Sequence, residues 1–276
     1  MFTSYIKSGW VFIELIIAMS IGLLLIGLLL TAYVASEKSD RLQTTLNHIQ
    51  DNAINAIHLL NTALHQSGYV GCAHLTSDFP IIPYQGYSFN SYNKLIGNEN
   101  EFTVRFMDDT SVLLKKDMQN NSILYTSKEV VFSPGNILII SNCKQAELFQ
   151  VASVSTTSFY QKIVTQQPLH YLFQGYSEIG RLIINKYFIA RTKRVHLDGS
   201  PIYALYVADI FHHQTELVEE INHMKITYSL KENGRLIDVS AEGVCDWSHV
   251  MGVNIDLMVN SFPFTKHWYT YVAIHS

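Results

Sequence analysis

The chain has 276 residues, of which 48 % are hydrophobic and 15 % charged, against roughly 25 % charged in an ordinary globular domain. That balance excludes a disordered, highly solvated chain. A formal net charge of −4 argues against a general nucleic-acid binder, and three cysteines are too few for a disulfide-dense scaffold.

The hydrophobicity is concentrated at one end. Leu15 to Ser36 reads LIIAMSIGLLLIGLLLTAYVAS, 22 residues without a charge. As a helix this run reaches about 33 Å at ~1.5 Å per residue, the hydrocarbon thickness of a bilayer. No second run of this kind follows, so one membrane span with a large domain on one side is expected. Lys7 precedes the run, while Glu37, Lys38, Asp40 and Arg41 follow it with mixed signs. The expected orientation is N-terminus inside, C-terminus outside. A secretory signal peptide has a shorter apolar core, about 7–15 residues, and ends in a small-x-small site. Thr31-Ala32-Tyr33 and Val34-Ala35-Ser36 supply such a site poorly.

Glu14 sits at the front of the oily run. A carboxylate in a bilayer costs a few kcal/mol at a helix centre and less near an end. It either lies at the interface and snorkels, or it finds a cationic partner when the helix leaves the lipid.

The helix is expected to continue. From Glu37 to Gln66 there is no Pro and no Gly. Leu42, Leu46, Ile49, Ala53, Ala56, Ile57, Leu60 and Leu64 fall at steps of three and four, which marks one apolar face. Gln43, Asn47, Gln50, Asp51, Asn55 and Asn61 occupy the other. Gly68 is the stop signal, so one helix is predicted from about Trp10 to Ser67. Its second half is either a short coiled coil or, as the Ala- and Asn-rich stripe favours, a face packed on the chain's own downstream domain.

Residues Gly68 to Ser276 read as strands and turns. Phe102, Val104 and Phe106 alternate with polar residues, as do Ile226, Tyr228 and Leu230, and Val253, Ile255, Leu257 and Val259. Val130–Phe132, Ile137–Ile140 and Leu182–Ile184 are shorter apolar strand candidates. Asp108-Asp109, Ser133-Pro134-Gly135-Asn136, Asp198-Gly199 and Asn233-Gly234 are turn signals, the last a hairpin cue. The spacing suits an antiparallel sheet. The fold class expected is α+β, a long N-terminal helix packed on a mainly antiparallel β head.

Gly9 followed by Trp10-Val11-Phe12-Ile13-Glu14-Leu15 resembles the cleavage and N-methylation signal of type IV prepilins. The family most often has Phe, Thr and Leu where this chain has Trp10, Val11 and Phe12. Gly68-Tyr69-Val70-Gly71-Cys72, the run from Gly135 to Val151 around Cys143, and Asp246-Trp247-Ser248-His249-Val250 are similar to the PilW-type minor pilins. The resemblance implies a type IV pilin-like fold and a cut after Gly9 by prepilin peptidase. It implies that Trp10 becomes the methylated N-terminus. It also implies that Glu14 pairs with the N-terminal amine of a neighbouring subunit in the filament. Residues 1–9 would be the leader, 10–36 the transmembrane and filament-core helix, 37–67 its amphipathic half, and 68–276 a β-rich periplasmic head. The cut removes Lys7 and takes the net charge from −4 to −5.

The same resemblance implies a Cys72–Cys143 disulfide, since both cysteines fall in the family-like segments; an outside head would place them in an oxidising compartment. Cys245 is then a buried free thiol, and Cys245 in place of either partner stays open. Twelve histidines invite a metal, but His58 with His65 and His212 with His213 lack a zinc-ligand pattern. No nucleophile elbow or phosphate-binding glycine loop occurs. Asp108-Asp109 reads as a turn, with a loop calcium site as the alternative. The Tyr84–Tyr92 stretch reads either as an adhesive surface or as ordinary loop and strand aromatics.

The expectation is a structural, non-catalytic minor pilin without cofactor or metal. It would sit in the inner membrane and then at the tip or in low abundance within a type IV pilus. The partners implied are prepilin peptidase, other minor pilins, the major pilin, the inner-membrane assembly platform and, before assembly, lipid; nucleic acid is not among them. A pseudopilin of a type II secretion system is the neighbouring alternative. An envelope enzyme or binding module with an uncleaved anchor is the alternative from another class.

Overall fold

A computed structural model of the chain describes residues 8–196, 199–232, 234–261 and 264–274. It divides into two compact units, Met1–Gln50 and Asp51–Ser276, and the division falls inside a helix. That helix, α1 (Ser8–Gln66), is 59 residues long.

In the first unit the apolar side chains of α1 from Phe12 to Val34 point outward all round. Trp10 is 79 % exposed, Leu23 68 % and Leu29 69 %. An apolar cylinder of this length is not stable against water, so a lipid or protein environment must cover it. The hydroxyls within the run are satisfied locally: Ser20 Oγ donates to the Ile16 carbonyl at 2.7 Å, and Thr31 Oγ1 to the Leu28 carbonyl at 2.8 Å. Such back-bonding removes the cost of a bare hydroxyl in an apolar medium. Further along, Arg41 and Glu37 pair at 2.6 Å in an i,i+4 step, where polar character begins.

The second unit opens with the last turns of α1. Ala53, Ala56, Leu60 and Leu64 of the stripe are buried, with Ala63 beside them, while Asp51 and Asn55 stay exposed. The helix packs on the head's own strands: Thr270 Oγ1 donates to Asn61 Oδ1 at 3.4 Å. Gly68, at φ +80°, ends it in the left-handed region that glycine enters without strain.

The strands follow in chain order: β1 (Ile81–Ile82), β2 (Leu95–Gly97), β3 (Glu101–Met107), β4 (Val112–Leu113), β5 (Ile123–Thr126), β6 (Ile137–Asn142), β7 (Gln145–Thr156) and β8 (Gln161–Thr165). After them come β9 (Glu178–Val195), β10 (Pro201–Ala208), β11 (Gln214–Glu219), β12 (Ile221–Glu232), β13 (Arg235–Val239), β14 (Val250–Ser261) and β15 (Phe264–Ala273). Among the described residues they form an 11-stranded sheet whose main path is β11-β10-β9-β6-β7-β8-β5. A second, 4-stranded sheet runs β13-β12-β14-β15. Every pairing is antiparallel except β1 on β7. The body is therefore β-rich and mostly antiparallel, and the chain is α+β.

The long strand β9 ties the larger sheet together. Its first residues pair with β6 and β4, and its later ones with β3 and β10. In β6, Leu138 and Ile140 enter one apolar cluster with Phe149, Phe173 and Ile179. Ile137 and Ile139 enter another with Val70, Phe89 and Leu148. Both faces of β6 are covered, which is why its sequence is an unbroken apolar run rather than an alternation. By contrast β3, β12 and β14 bury alternate residues, matching their period-two pattern.

Three expectations are corrected or refined. Val130–Phe132 is not a strand; Phe132 drops into the core while Val131 is exposed, and Arg181 donates to the Val131 carbonyl at 2.9 Å. The segment leaves the sheet because only one of its three side chains finds a buried site. In the Tyr84–Tyr92 stretch, Tyr84 and Phe89 are core residues, Tyr87 is half-buried, and Tyr92 is the exposed aromatic. Asp108-Asp109 is a turn: Thr110 N–H donates to Asp108 Oδ1 at 3.1 Å, and Arg181 lies 3.7 Å from the other oxygen. Asp198 and Asn233 lie outside the described residues; Gly199 and Gly234 beside them both have positive φ, and the strands they join pair antiparallel.

Burial raises the phenol pKa of Tyr228, Tyr187 and Tyr69 above the ordinary tyrosine value. Neighbouring carboxylates, Glu101 for Tyr228 and Glu178 for Tyr69, add to it. The folded head thus keeps these protons to higher pH than the unfolded chain does. Their contribution is fully present below the unfolded value near ~10 and is lost as pH rises above it. Stability measured by urea titration is expected to hold level from about pH 7 to 9 on this account and to fall beyond about pH 10. A head equally stable on both sides of that range would contradict the burial of these rings.

Candidate functional site

Two constellations were singled out by the sequence, one at the start of α1 and one at the junction of helix and head. At the start, Gly9 and Trp10 lie in the first turn of α1. Residues 1–7 of the expected leader, Lys7 included, lie outside the described residues. Glu14 follows Trp10 by four positions and therefore shares its face of the helix. Its carboxylate is exposed among Phe12, Ile13, Leu15 and Ile17, which are exposed too.

At the junction, Cys72 and Cys143 form a disulfide with Cα atoms 5.4 Å apart. Cys143 stands in the β6–β7 turn, where Asn142 Oδ1 accepts from the backbone N–H groups of Lys144 and Gln145 at 3.0 Å each. Cys72 stands in the loop that leaves α1. That loop is also tied by backbone bonds, Gly68 N–H to the Arg105 carbonyl at 2.9 Å and Leu75 N–H to the Gly68 carbonyl at 2.8 Å. The disulfide fastens the segment after the helix to the middle of the larger sheet. Cys245 is free but exposed, which corrects the expectation of a buried thiol. It follows a surface 3-10 turn (Ala241–Gly243), and beside it Val244 takes the buried position while Cys245 faces out.

The histidines do not gather. His58 is exposed on α1, and His213 Nδ1 lies 3.2 Å from Asp209 Oδ2 in an exposed turn. Among the described residues no group of three or more His, Cys, Asp or Glu side chains converges to hold a metal ion.

Sequence reasoning missed two buried charges. Glu147, 2 % exposed, accepts from His170 N–H at 2.8 Å, from Tyr171 N–H at 3.2 Å, and faces His170 Nδ1 at 2.8 Å. It clamps the loop before β9 onto β7. Lys94, 1 % exposed, lies just before β2. A lone charged residue in a strand-like context reads as an exposed position, and only non-local partners make its burial tolerable. No family model matches the chain, and neither a curated protein nor a solved structure does.

Proposed function

We propose that the chain is a type IV pilus minor pilin of the PilW type, processed after Gly9 and built into the initiating or tip complex of the filament. The observation that carries this reading is the exposed carboxylate of Glu14 inside the all-apolar opening of α1, one turn after the Gly9–Trp10 bond. For an apolar helix that stayed in lipid for good, that charge would be a cost that snorkelling at the interface only lowers. A helix that moves from lipid into a bundle of like helices would have a use for it. The apolar surface supplies non-directional association energy, and the carboxylate supplies register by accepting one N-terminal amine at one axial offset. In an apolar bundle that pair is worth more than in water.

On this reading prepilin peptidase hydrolyses the Gly9–Trp10 bond and the freed amine of Trp10 is methylated. The head, type IV pilin-like, faces the periplasm while the helix waits in the inner membrane. There it meets the assembly platform, other minor pilins and the major pilin. The role is structural, with no chemistry of its own. The one-span helix, the β-rich head and the disulfide at the helix end support the reading.

N-terminal sequencing of the protein extracted from membranes is the direct test. A chain that begins at methylated Trp10 is the expected result; a chain that begins at Met1 would sink the proposal and favour an uncleaved anchor carrying an enzyme or binding module. Glu14→Ala is expected to leave processing and head folding intact while cutting surface pili at least tenfold, the effect of losing a buried ion pair. Unchanged pilus number would remove Glu14 from the mechanism. Deletion of the gene separates the two machines: loss of pili fits the proposal, and loss of secreted enzymes with pili intact points to a type II secretion pseudopilin.

A further inference from the structure

We propose that the turn joining β7 to β8, with the lysines gathered round it, is a docking surface for an anionic lipid bilayer. The turn runs from Thr157 to Tyr160, between strands that end at Thr156 and resume at Gln161. Phe159 stands at its apex and is 81 % exposed. The apex is held by its own hydrogen bonds: Thr157 N–H donates to the Tyr160 carbonyl at 2.9 Å, and Tyr160 N–H donates to Thr157 Oγ1 at 3.3 Å. A phenyl ring held out from the head in this way loses the free energy that burial would return.

Three exposed lysines from two other segments close on that apex. Lys128 Nζ donates to the Ser158 carbonyl at 2.9 Å, and Lys115 Nζ lies 3.5 Å from the Phe159 carbonyl oxygen. Lys116 Nζ lies 3.8 Å from the centre of the Tyr125 ring and 6.0 Å from that of Tyr160. Those two rings meet edge-on at 5.2 Å. Lys162, opposite Tyr125 in the β5–β8 pairing, adds a fourth positive charge beside them. Among the described residues the ion pairs are made by other cations, and no carboxylate pairs with Lys115, Lys116 or Lys128. The acids next to them in sequence turn to other partners. Asp117 Oδ1 accepts from the Gly175 N–H at 2.7 Å, and Glu129 Oε2 accepts from Ser127 Oγ at 3.0 Å.

Charge of one sign around an apolar projection fits a surface that is anionic on top and apolar beneath, which describes an acidic bilayer. Phe159 enters the boundary between headgroups and acyl chains, and the ammoniums reach the lipid phosphates on their flexible stems. Lys128 gives one of its three N–H groups to the Ser158 carbonyl and keeps two for outside acceptors. Single-stranded nucleic acid fits the surface less well, because its binders line a groove that tracks the backbone. Here the charges ring a projection, and the chain as a whole carries −4.

The surface needs only the folded head. It is independent of a cut after Gly9 and of the filament, so its test and the test of the pilin reading fail separately. It also differs in kind from α1, whose run from Leu15 to Ser36 has no charge with which to distinguish one headgroup from another.

Flotation of the full chain with lipid vesicles tests it, the apolar helix being held in a nanodisc of phosphatidylcholine. Binding is expected to vesicles of equal parts phosphatidylcholine and phosphatidylglycerol, not to vesicles of phosphatidylcholine alone, and it is expected to fade with added salt. Lys115→Gln combined with Lys128→Gln is expected to weaken it roughly 25-fold, about fivefold per lysine. Phe159→Ser is expected to weaken it about tenfold, the effect of one apolar side chain leaving the boundary. All three positions are exposed, and an unchanged melting temperature checks that the variants fold. No binding to the acidic vesicles overturns the proposal, and so does equal binding to both kinds. Binding that the lysine pair leaves unchanged overturns it as well. If Phe159→Ser binds like the parent, the lysines form a plain cationic patch suited to a soluble polyanion such as nucleic acid, and the lipid assignment falls.

Discussion

Replacing both Cys72 and Cys143 by serine is expected to destabilise the head by about 4 kcal/mol and to lower its melting temperature by roughly 10 °C. The two residues are 71 apart in sequence, so the bond removes a long loop's worth of freedom from the unfolded chain. It also joins the first segment after α1 to a turn that is rigid in its own right. Losing it frees the Gly68–Pro80 loop to move, and that loop holds Val70 and Leu75 in the core. Thermal unfolding of the double variant beside the oxidised parent measures the loss. The double variant is preferred because a single change would leave Cys143 or Cys72 free to pair with exposed Cys245. A thiol count on the unfolded, unreduced parent should find one free thiol per chain. A melting temperature within a degree or two of the parent, or a count of three, would contradict the bond's role.

Tyr228→Ala is expected to cost the head about 3–5 kcal/mol, the usual range for deleting a buried aromatic. Tyr228 is fully buried and among the largest side chains of the core. It belongs to β12 in the 4-stranded sheet, but its hydroxyl donates to the Asn98 carbonyl at 3.0 Å, at the end of β2 in the larger sheet. The ring meets Trp247 edge-on at 4.8 Å. Gly97 makes room for the hydroxyl: any Cβ there would overlap it. One side chain therefore binds the two sheets and a surface turn together. Tyr228→Phe keeps the ring and removes only the hydroxyl, so about 1 kcal/mol is expected. The two variants together separate packing from the hydrogen bond. Equal losses for Phe and Ala would mean that the hydroxyl, not the ring, carries the junction. Near-ultraviolet circular dichroism should report the altered surroundings of Trp247 in the Ala variant.

The helix was the most legible part of the chain. Its stop at Gly68 and its change from all-round to one-sided hydrophobicity are local properties, and the structure places the end at Gln66. The strands of period two were legible for the same reason: Phe102, Val104 and Phe106 alternate because one face of β3 is covered. Val130–Phe132 looked the same by composition as Ile137–Ile140, yet only the second is a strand. The difference is whether a neighbour exists on both faces, and no local pattern states that. Glu147 and Lys94 were invisible as interior residues, since the groups that make their burial tolerable come from distant segments.

The sequence alone determined that this chain has a membrane-length apolar helix, that a glutamate interrupts its opening, and that an antiparallel β head follows. Those follow from residue order, because hydrophobic periodicity and the cost of a charge in an apolar run act over a few residues at a time. Tertiary structure decided the order of the strands, the double pairing of β9, the exposure of Cys245 and the gathering of lysines at the β7–β8 turn. Each of these is set by contacts between segments far apart in the chain, and such contacts exist only once the whole head has closed on its core.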